Sequence, residues 1–329
     1  MEDNSAPVKD AQFFQHMLQS LFYHEQMLTD EVRNRHFYNA LRKTVTNETR
    51  VLDIGAGSGV WAIAAAKLGA KSVTAIEMNT PMLPVIAAHA AENGVADRIT
   101  IVSGMSTDID LDGKFDLIVS ETIGNQAYDE NIIPTMTDAR KRFLAPGGRI
   151  IPQKVALKAT PVHVSGHQDI PISVPVRMDY LRNLLSNVTP KIPDRSNLEM
   201  LGPSKKVIEV DLRECEAETY LGGITTTWEL ANLRRANAIA IWSESELTDG
   251  LVLDAWETTS WMPVVCRFDP FDVDVGTLRF ELNIDAQHYN WSVSANDIPA
   301  RAYTPMFPYT RIKIDLSRLF PHTSERGTE

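Results

Sequence analysis

The apolar run Val51-Leu52-Asp53-Ile54 ends in Gly55-Ala56-Gly57-Ser58-Gly59, and a helical stretch from Gly59 to Leu68 follows. A buried strand turning through three glycines into a helix restricts the fold more than any other part of the chain. Glycines at these positions let the backbone pass close to a ligand that a Cβ would exclude. The dinucleotide fingerprint Gly-x-Gly-x-x-Gly would set its last glycine at position 60, which is Val60 here. The tighter Gly-x-Gly-x-Gly spacing behind an acid instead suits a ligand without a pyrophosphate. Asp53 is then placed to accept a hydrogen bond from the ligand's amino group. A second β-run, Val73 to Ile76, closes on Glu77, 18 residues past Gly59. A carboxylate there can take both ribose hydroxyls of a bound nucleoside. A glycine turn with no ligand and a nicotinamide site are the competing readings.

The alternation continues beyond this loop. A helix is expected from about Pro81 to Glu92, with Pro81 and Pro84 tolerable in a first turn that lacks internal N–H partners. β-runs follow at Ile99 to Val102 and Phe115 to Val119, then a helix around Ile133 to Phe143 and a short run from Gly148 to Ile151. Strands alternating with helices read as a parallel sheet covered on both faces. Ahead of it, Ala11 to Leu41 has apolar residues at helical spacing.

After Pro152 the period drops to two residues. Val207 to Leu212, Leu278 to Leu282 and Ile312 to Leu316 fit half-buried strands, and the wholly apolar Ala238 to Trp242 fits a buried one. Many such strands suggest an antiparallel barrel or sandwich. The expected organisation is N-terminal helices over 1–45, a Rossmann-like unit over 46–152, and a β-barrel over 153–321. A short helix or arm should interrupt the barrel at about 176–190, and a disordered tail should occupy 322–329.

With 32 Lys plus Arg against 43 Asp plus Glu, the formal net charge is −11. That argues against general nucleic-acid binding and favours a cationic partner. No apolar run approaches the roughly 20 residues of a membrane span. The start Met1-Glu2-Asp3-Asn4 does not read as a secretory signal. Cys215 and Cys266 are too few for a disulfide framework and lack metal-ligand spacing, so no metal is expected and a reducing cytoplasm fits.

The remaining chemistry lies after the run Phe115 to Val119. Ser120-Glu121 leads through Gly124, which permits a reversal, to Glu130. Two carboxylates facing each other repel unless a cation lies between them. A planar guanidinium satisfies both through paired N–H···O bonds. Its lone pairs are delocalised, so it is a poor nucleophile. Fixed carboxylates can orient it and draw positive charge from the attacking nitrogen. An acidic surface loop is the plainer alternative.

From about Phe14 to Leu316 the sequence resembles the protein arginine methyltransferase family. Ser120-Glu121 to Glu130 matches that family's double-glutamate loop, and His24-Glu25-Gln26-Met27-Leu28-Thr29-Asp30-Glu31-Val32-Arg33 is similar to its cofactor-covering helix. Leu144-Ala145-Pro146-Gly147-Gly148 and Ile151-Pro152 match the passage into its β-barrel. The resemblance implies S-adenosyl-L-methionine as cofactor. It puts Arg33 on the methionine carboxylate, Asp53, Gly55 and Gly57 along the cofactor, and Glu77 on the ribose. It also puts Met27 near the transferred methyl and Trp261 in the pocket wall; alone, either would read as core. Glu121 and Glu130 become the catalytic, substrate-binding pair. Met178 to Val188 falls where the family carries a dimerisation arm, which implies a homodimer.

Three departures stand out. The family's Thr-His-Trp loop is Thr259-Ser260-Trp261 here, so the histidine expected to face Asp30 is missing. Phe13-Phe14-Gln15-His16 lacks the tyrosine hydroxyls of the family's N-terminal motif. Ser106-Thr107 stands where a glutamate usually meets adenine, so Ser106 is the expected cofactor contact. The first two fall on the acceptor pocket and tilt the expectation towards free L-arginine or another small guanidino compound, with protein arginine as the alternative. A non-catalytic dimer partner, and a methyltransferase for another nucleophile with Glu130 as general base, are the readings of other kinds.

Overall fold

The computed structural model describes residues 6–127, 130–165, 176, 191, 194–217, 222–284 and 289–303. The expected arm at 176–190 (Val176 apart), the β-run Ile312 to Leu316 and the tail 322–329 lie outside the described residues.

Two helices open the chain, α1 (Ala6–Leu28) and α2 (Glu31–Thr44). The expected N-terminal helices divide at Thr29-Asp30. Asp30 takes an extended backbone, and its side chain accepts the N–H of Arg33, an N-cap that starts α2 afresh. Strand β1 (Arg50–Ile54) follows, then α3 (Val60–Lys67), β2 (Ser72–Glu77) and α4 (Leu83–Glu92). Pro81 belongs to a separate 3-10 turn, Thr80–Met82, and Pro84 alone sits in the first turn of α4. Strands β3 (Ile99–Ser103) and β4 (Phe115–Ser120), helix α5 (Ile132–Phe143) and strand β5 (Leu144–Ile151) complete the first unit.

These five strands form one sheet in the order β3-β2-β1-β4-β5, every neighbour parallel. The chain starts at the centre and winds outward in both directions. The carboxyl end of β1, where the order reverses, is therefore the natural ligand crevice. Small residues let α3 pack closely on the sheet, with Ala62, Ala65 and Ala66 fully buried. Phe37 of α2 stacks on Trp61 of α3 with ring centroids 4.9 Å apart, which fixes the N-terminal helices against the nucleotide-fold core.

Strand β6 (Lys154–Val164) begins the antiparallel part. It continues with β7 (Leu198–Met200), β8 (Lys205–Asp211), β9 (Gly222–Leu230), β10 (Ala238–Thr248), β11 (Leu251–Asp254) and β12 (Val264–Arg267). The last three are β13 (Gly276–Ile284), β14 (Tyr289–Ala295) and β15 (Ile298–Tyr303). One curled sheet runs β11-β10-β6-β7, with β12 on β10 and β8 on β6; the other runs β15-β14-β13-β9. Ala238 to Trp242 is buried throughout because β10 pairs along its length with β6 and at its start with β12. Trp228, Phe280, Trp291 and Phe271 fill the second core.

Candidate active site

Three segments meet at the carboxyl ends of β1, β2 and β4: the glycine turn, the end of α1 with the start of α2, and the loop after Ser120. Asp53, one residue before the end of β1, is fully buried. Its Oδ2 accepts the N–H of Ala62 at 2.9 Å, while Oδ1 has no partner within the protein. Burial, first of all, pushes its carboxyl up to about 7, with the charges of Glu77 and Glu121 adding and the Ala62 N–H opposing. A buried oxygen without a partner beside a glycine turn is what a ligand amino group would complete.

Glu77 ends β2, its Oε2 accepting the Gly57 N–H at 2.7 Å and Oε1 the Asn79 N–H at 2.6 Å. The ribose residue expected from sequence is thus held rigidly by backbone donors at the mouth of the crevice. Gly57 has φ +55°, and a Cβ there would lie 2.4 Å from Cε1 of His24. The end of α1 therefore lies directly on the glycine turn, and no side chain fits between. Gly55, at φ +71°, sits likewise close to the Thr122 methyl. Ser106 is buried just after β3, in the 3-10 turn Ser106–Asp108. The glycine turn, the unpartnered Asp53 oxygen, Glu77 and Ser106 thus line the crevice at the carboxyl ends of β1, β2 and β3.

Arg33 connects this crevice to the carboxylate loop. Its guanidinium is buried and pairs with Glu121 through Nη2, while Nη1 donates to the Met27 carbonyl at 3.0 Å and to Asn34 Oδ1 at 2.8 Å. The rings of Trp61 and Trp261 lie 5.6 and 5.9 Å from the guanidinium carbon. Half-buried Met27 has its sulfur 3.8 Å from Arg33 Nη2. Trp261, with 3% of its surface exposed, walls the same space. Burial raises the Glu121 carboxyl above its ordinary range, against the charge and hydrogen bond of Arg33, which lower it.

Glu130, expected to face Glu121, lies at the end of α1. Its Oε1 accepts the hydroxyl of Tyr23 at 3.0 Å, and Tyr23 feels the charges of both Glu130 and Glu121. Tyr23 was not among the residues expected from sequence. Its signal was positional: it lies one helical turn before Met27, on the same face of α1.

The loop between the two acids is anchored in the second unit. Gly124, at φ +67°, makes the reversal. The Ser243 N–H donates to the Asn125 carbonyl at 3.0 Å and its hydroxyl to the Gly124 carbonyl at 3.1 Å. The Met262 N–H donates to Asn125 Oδ1 at 2.8 Å.

The missing histidine has a replacement. Asp30 Oδ2 accepts the N–H of Thr259 at 2.9 Å, the N–H of Ser260 at 2.8 Å and the Ser260 hydroxyl at 2.7 Å. Burial alone would raise the Asp30 carboxyl, but these bonds and the Arg33 N–H hold it below the ordinary range. Arg195, also not foreseen, secures the loop by donating to the carbonyls of Thr258 at 2.6 Å and Trp261 at 3.0 Å. A depressed carboxyl favours the fold above its unfolded pKa and loses that contribution as pH falls through the folded one. Ser260→Ala is accordingly expected to lower unfolding free energy by about 1–3 kcal/mol at neutral pH, with the deficit shrinking in acid. Urea unfolding at two pH values measures both.

Among the described residues no cluster of His, Cys, Asp and Glu could hold a metal ion, and no helix is long and apolar enough to cross a membrane. Both cysteines are free and buried.

The ribosomal protein L11 methyltransferase (PrmA) family matches residues 37–153. The ribosomal protein arginine N-methyltransferase rmt3 of Schizosaccharomyces pombe is 38% identical over 140 residues, which is 42% of this chain and 26% of that protein. An arginine N(omega)-methyltransferase of Streptomyces achromogenes subsp. streptozoticus is 28% identical over 256 residues, covering 70% of this chain and 66% of its own length. The chain spans only 26% to 48% of the first three curated relatives. Among solved structures, the Trypanosoma brucei PRMT1 enzyme–prozyme heterotetrameric complex with AdoHcy superposes with a TM-score of 0.75 at 20% identity, covering 86% of this chain and 98% of that one. Arabidopsis thaliana protein arginine methyltransferase 10 gives 0.72 at 19% identity, covering 88% and 98%. The fold, a parallel Rossmann-like sheet followed by curled antiparallel sheets, is the fold of these neighbours.

Proposed function

We propose that this chain is an S-adenosylmethionine-dependent arginine N-methyltransferase, the class to which its curated relatives and structural neighbours belong. The observation that carries the reading is the carboxylate pair, Glu121 and Glu130, on a loop that begins where β4 leaves the sheet beside the glycine turn. When bound, the cofactor supplies a methyl group activated by its sulfonium. Asp53, Arg33, Glu77, Gly55, Gly57 and Ser106 would hold it, Asp53 through the oxygen left without a partner. Glu121 and Glu130 hold the acceptor guanidinium by charge-assisted bonds and localise its positive charge away from the attacking nitrogen. Trp261 and Met27 bound the space, and α1 over the glycine turn excludes water. The organisation we propose is the one read from sequence, with helices over 1–45, a cofactor unit over 46–152 and a substrate unit from 153, in a homodimeric cytoplasmic enzyme that binds neither nucleic acid nor membrane.

For the acceptor we favour free L-arginine or a small guanidino compound. The support is coverage: the arginine N(omega)-methyltransferase aligns over 70% of this chain, both units included, whereas rmt3 aligns over 42%. Arginine within proteins is the second reading, favoured by the higher identity of the protein arginine methyltransferases, 38% against 28%. A non-catalytic partner is the alternative of another kind, since one neighbour pairs an enzyme with a prozyme. The complete glycine turn and both glutamates speak against it. Labelled methyl transfer to free L-arginine, an arginine-rich peptide or no acceptor decides among the three. We expect label on free arginine; label only on the peptide would restore the protein-modifying reading, and none on either would favour the partner.

A further inference from the structure

We infer that Tyr23 is a positioning residue for the acceptor guanidinium, its hydroxyl holding Glu130 in the orientation that completes the carboxylate pair. The inference rests on the function proposed above and assigns to that site a residue no sequence motif marks.

Glu121 and Glu130 are each restrained by a donor from the N-terminal helices. Arg33, at the start of α2, takes Oε2 of Glu121, and Tyr23, near the end of α1, donates to Oε1 of Glu130 at 3.0 Å. The two anchors differ in kind. An arginine brings its own positive charge to its carboxylate, whereas a phenol brings a hydrogen bond and no charge. Tyr23 therefore restrains the Glu130 side chain without adding a positive charge of its own. The ring of Tyr23 lies beside His24, centroids 6.0 Å apart, and His24 rests on Gly57. The hydroxyl is thus fixed relative to the cofactor turn as well. Burial, then the charges of Glu130 and Glu121, push the phenol well above its ordinary range, with Arg33 opposing. The groups that face it, Glu130, Glu121, Arg33 and His24, leave it a protonated donor throughout the working range of an enzyme.

A tether that merely fastens α1 would look the same in a static structure, so the test separates the two. Tyr23→Phe keeps the ring, its packing and the helix, and removes only the donor. The full chain is assayed for kcat and KM with L-arginine. Cofactor Kd and Tm are measured alongside, and arginine binding is followed calorimetrically with S-adenosylhomocysteine bound. We expect kcat/KM for arginine to fall about 10- to 100-fold, the loss typical of a hydrogen bond to a charged group. Arginine Kd should rise, with cofactor Kd within about twofold and Tm little changed. Kinetics equal to wild type would overturn the inference, as would activity, cofactor affinity and Tm falling together. Glu130→Gln in the same series separates this inference from the proposed function. If that variant is inactive while Tyr23→Phe is normal, only the role of Tyr23 fails. If wild type neither binds nor methylates arginine, the function fails and takes this inference with it.

Discussion

Replacing Glu130 by Gln is expected to lower kcat/KM for arginine by about 10²- to 10³-fold while leaving cofactor affinity within about twofold. The magnitude is that of deleting one preorganised charge partner of a cationic acceptor. The substitution keeps the shape of the side chain, and its carbonyl can still accept the Tyr23 hydroxyl now seen at 3.0 Å. What it removes is the charge that balances the guanidinium, so the loss is chemical rather than conformational. Glu121→Gln is expected to behave differently. Arg33, buried with 3% of its side chain exposed, would then lack its carboxylate, and a stranded buried charge is costly to the fold. Stability should drop with activity in that variant and not in Glu130→Gln. Single-turnover kinetics, cofactor titration and thermal unfolding of the two variants measure the split. Equal Tm losses would show that the two acids are not anchored as the structure places them.

The second large effect is on pH. Asp53 in the ligand-free protein has its carboxyl raised from 3.8 to about 7. A cofactor ammonium needs the carboxylate, so affinity should be level above about pH 8 and fall roughly tenfold for each unit below 7. Fold stability should move the opposite way. A carboxyl raised in the folded state is most favourable to folding below its unfolded pKa. Its cost then grows by about 1.4 kcal/mol per unit as pH climbs from 3.8 towards 7. Asp53→Asn should flatten both dependences and weaken cofactor binding at neutral pH. Titrations of cofactor affinity and of urea midpoint between pH 5 and 8, about the range in which stability tends to be maximal, check the two signs. A single common direction would be wrong for this site.

Much of the parallel-sheet unit was legible in the sequence, because its signals are local. Arg50 to Ile54 forms β1 residue for residue, and the glycine turn lies at the end of it. Strand and helix periods differ enough to separate the elements up to Ile151. The boundaries that sequence did not place follow from single residues, the cap at Asp30 and the 3-10 turn at Pro81. The acceptor side was legible only in part. Glu121 and Glu130 stood out as acids around a reversal, but their anchors are distant in sequence. Tyr23 reaches Glu130 across 107 positions, and Ser260 reaches Asp30 across 230. The substitution of serine for histidine looked like a lost contact. In the structure the hydroxyl and two backbone donors converge on one carboxylate oxygen instead. No periodicity encodes such closures, because they depend on how two units meet.

The anchoring of the glutamate loop carries a consequence for any exchange of parts between relatives. Gly124 and Asn125 belong to the cofactor unit by chain order, yet their carbonyls and the Asn125 carboxamide are held by Ser243 and Met262 of the antiparallel unit. The proposed acceptor site is in that sense held jointly by both units. A chimera joined at residue 152 would inherit its glutamates from one parent and the scaffold that aims them from the other. It could fold, bind cofactor and still present the two carboxylates at an angle neither parent uses. Acceptor choice should transfer only when the loop 121–130 and strand β10 travel together.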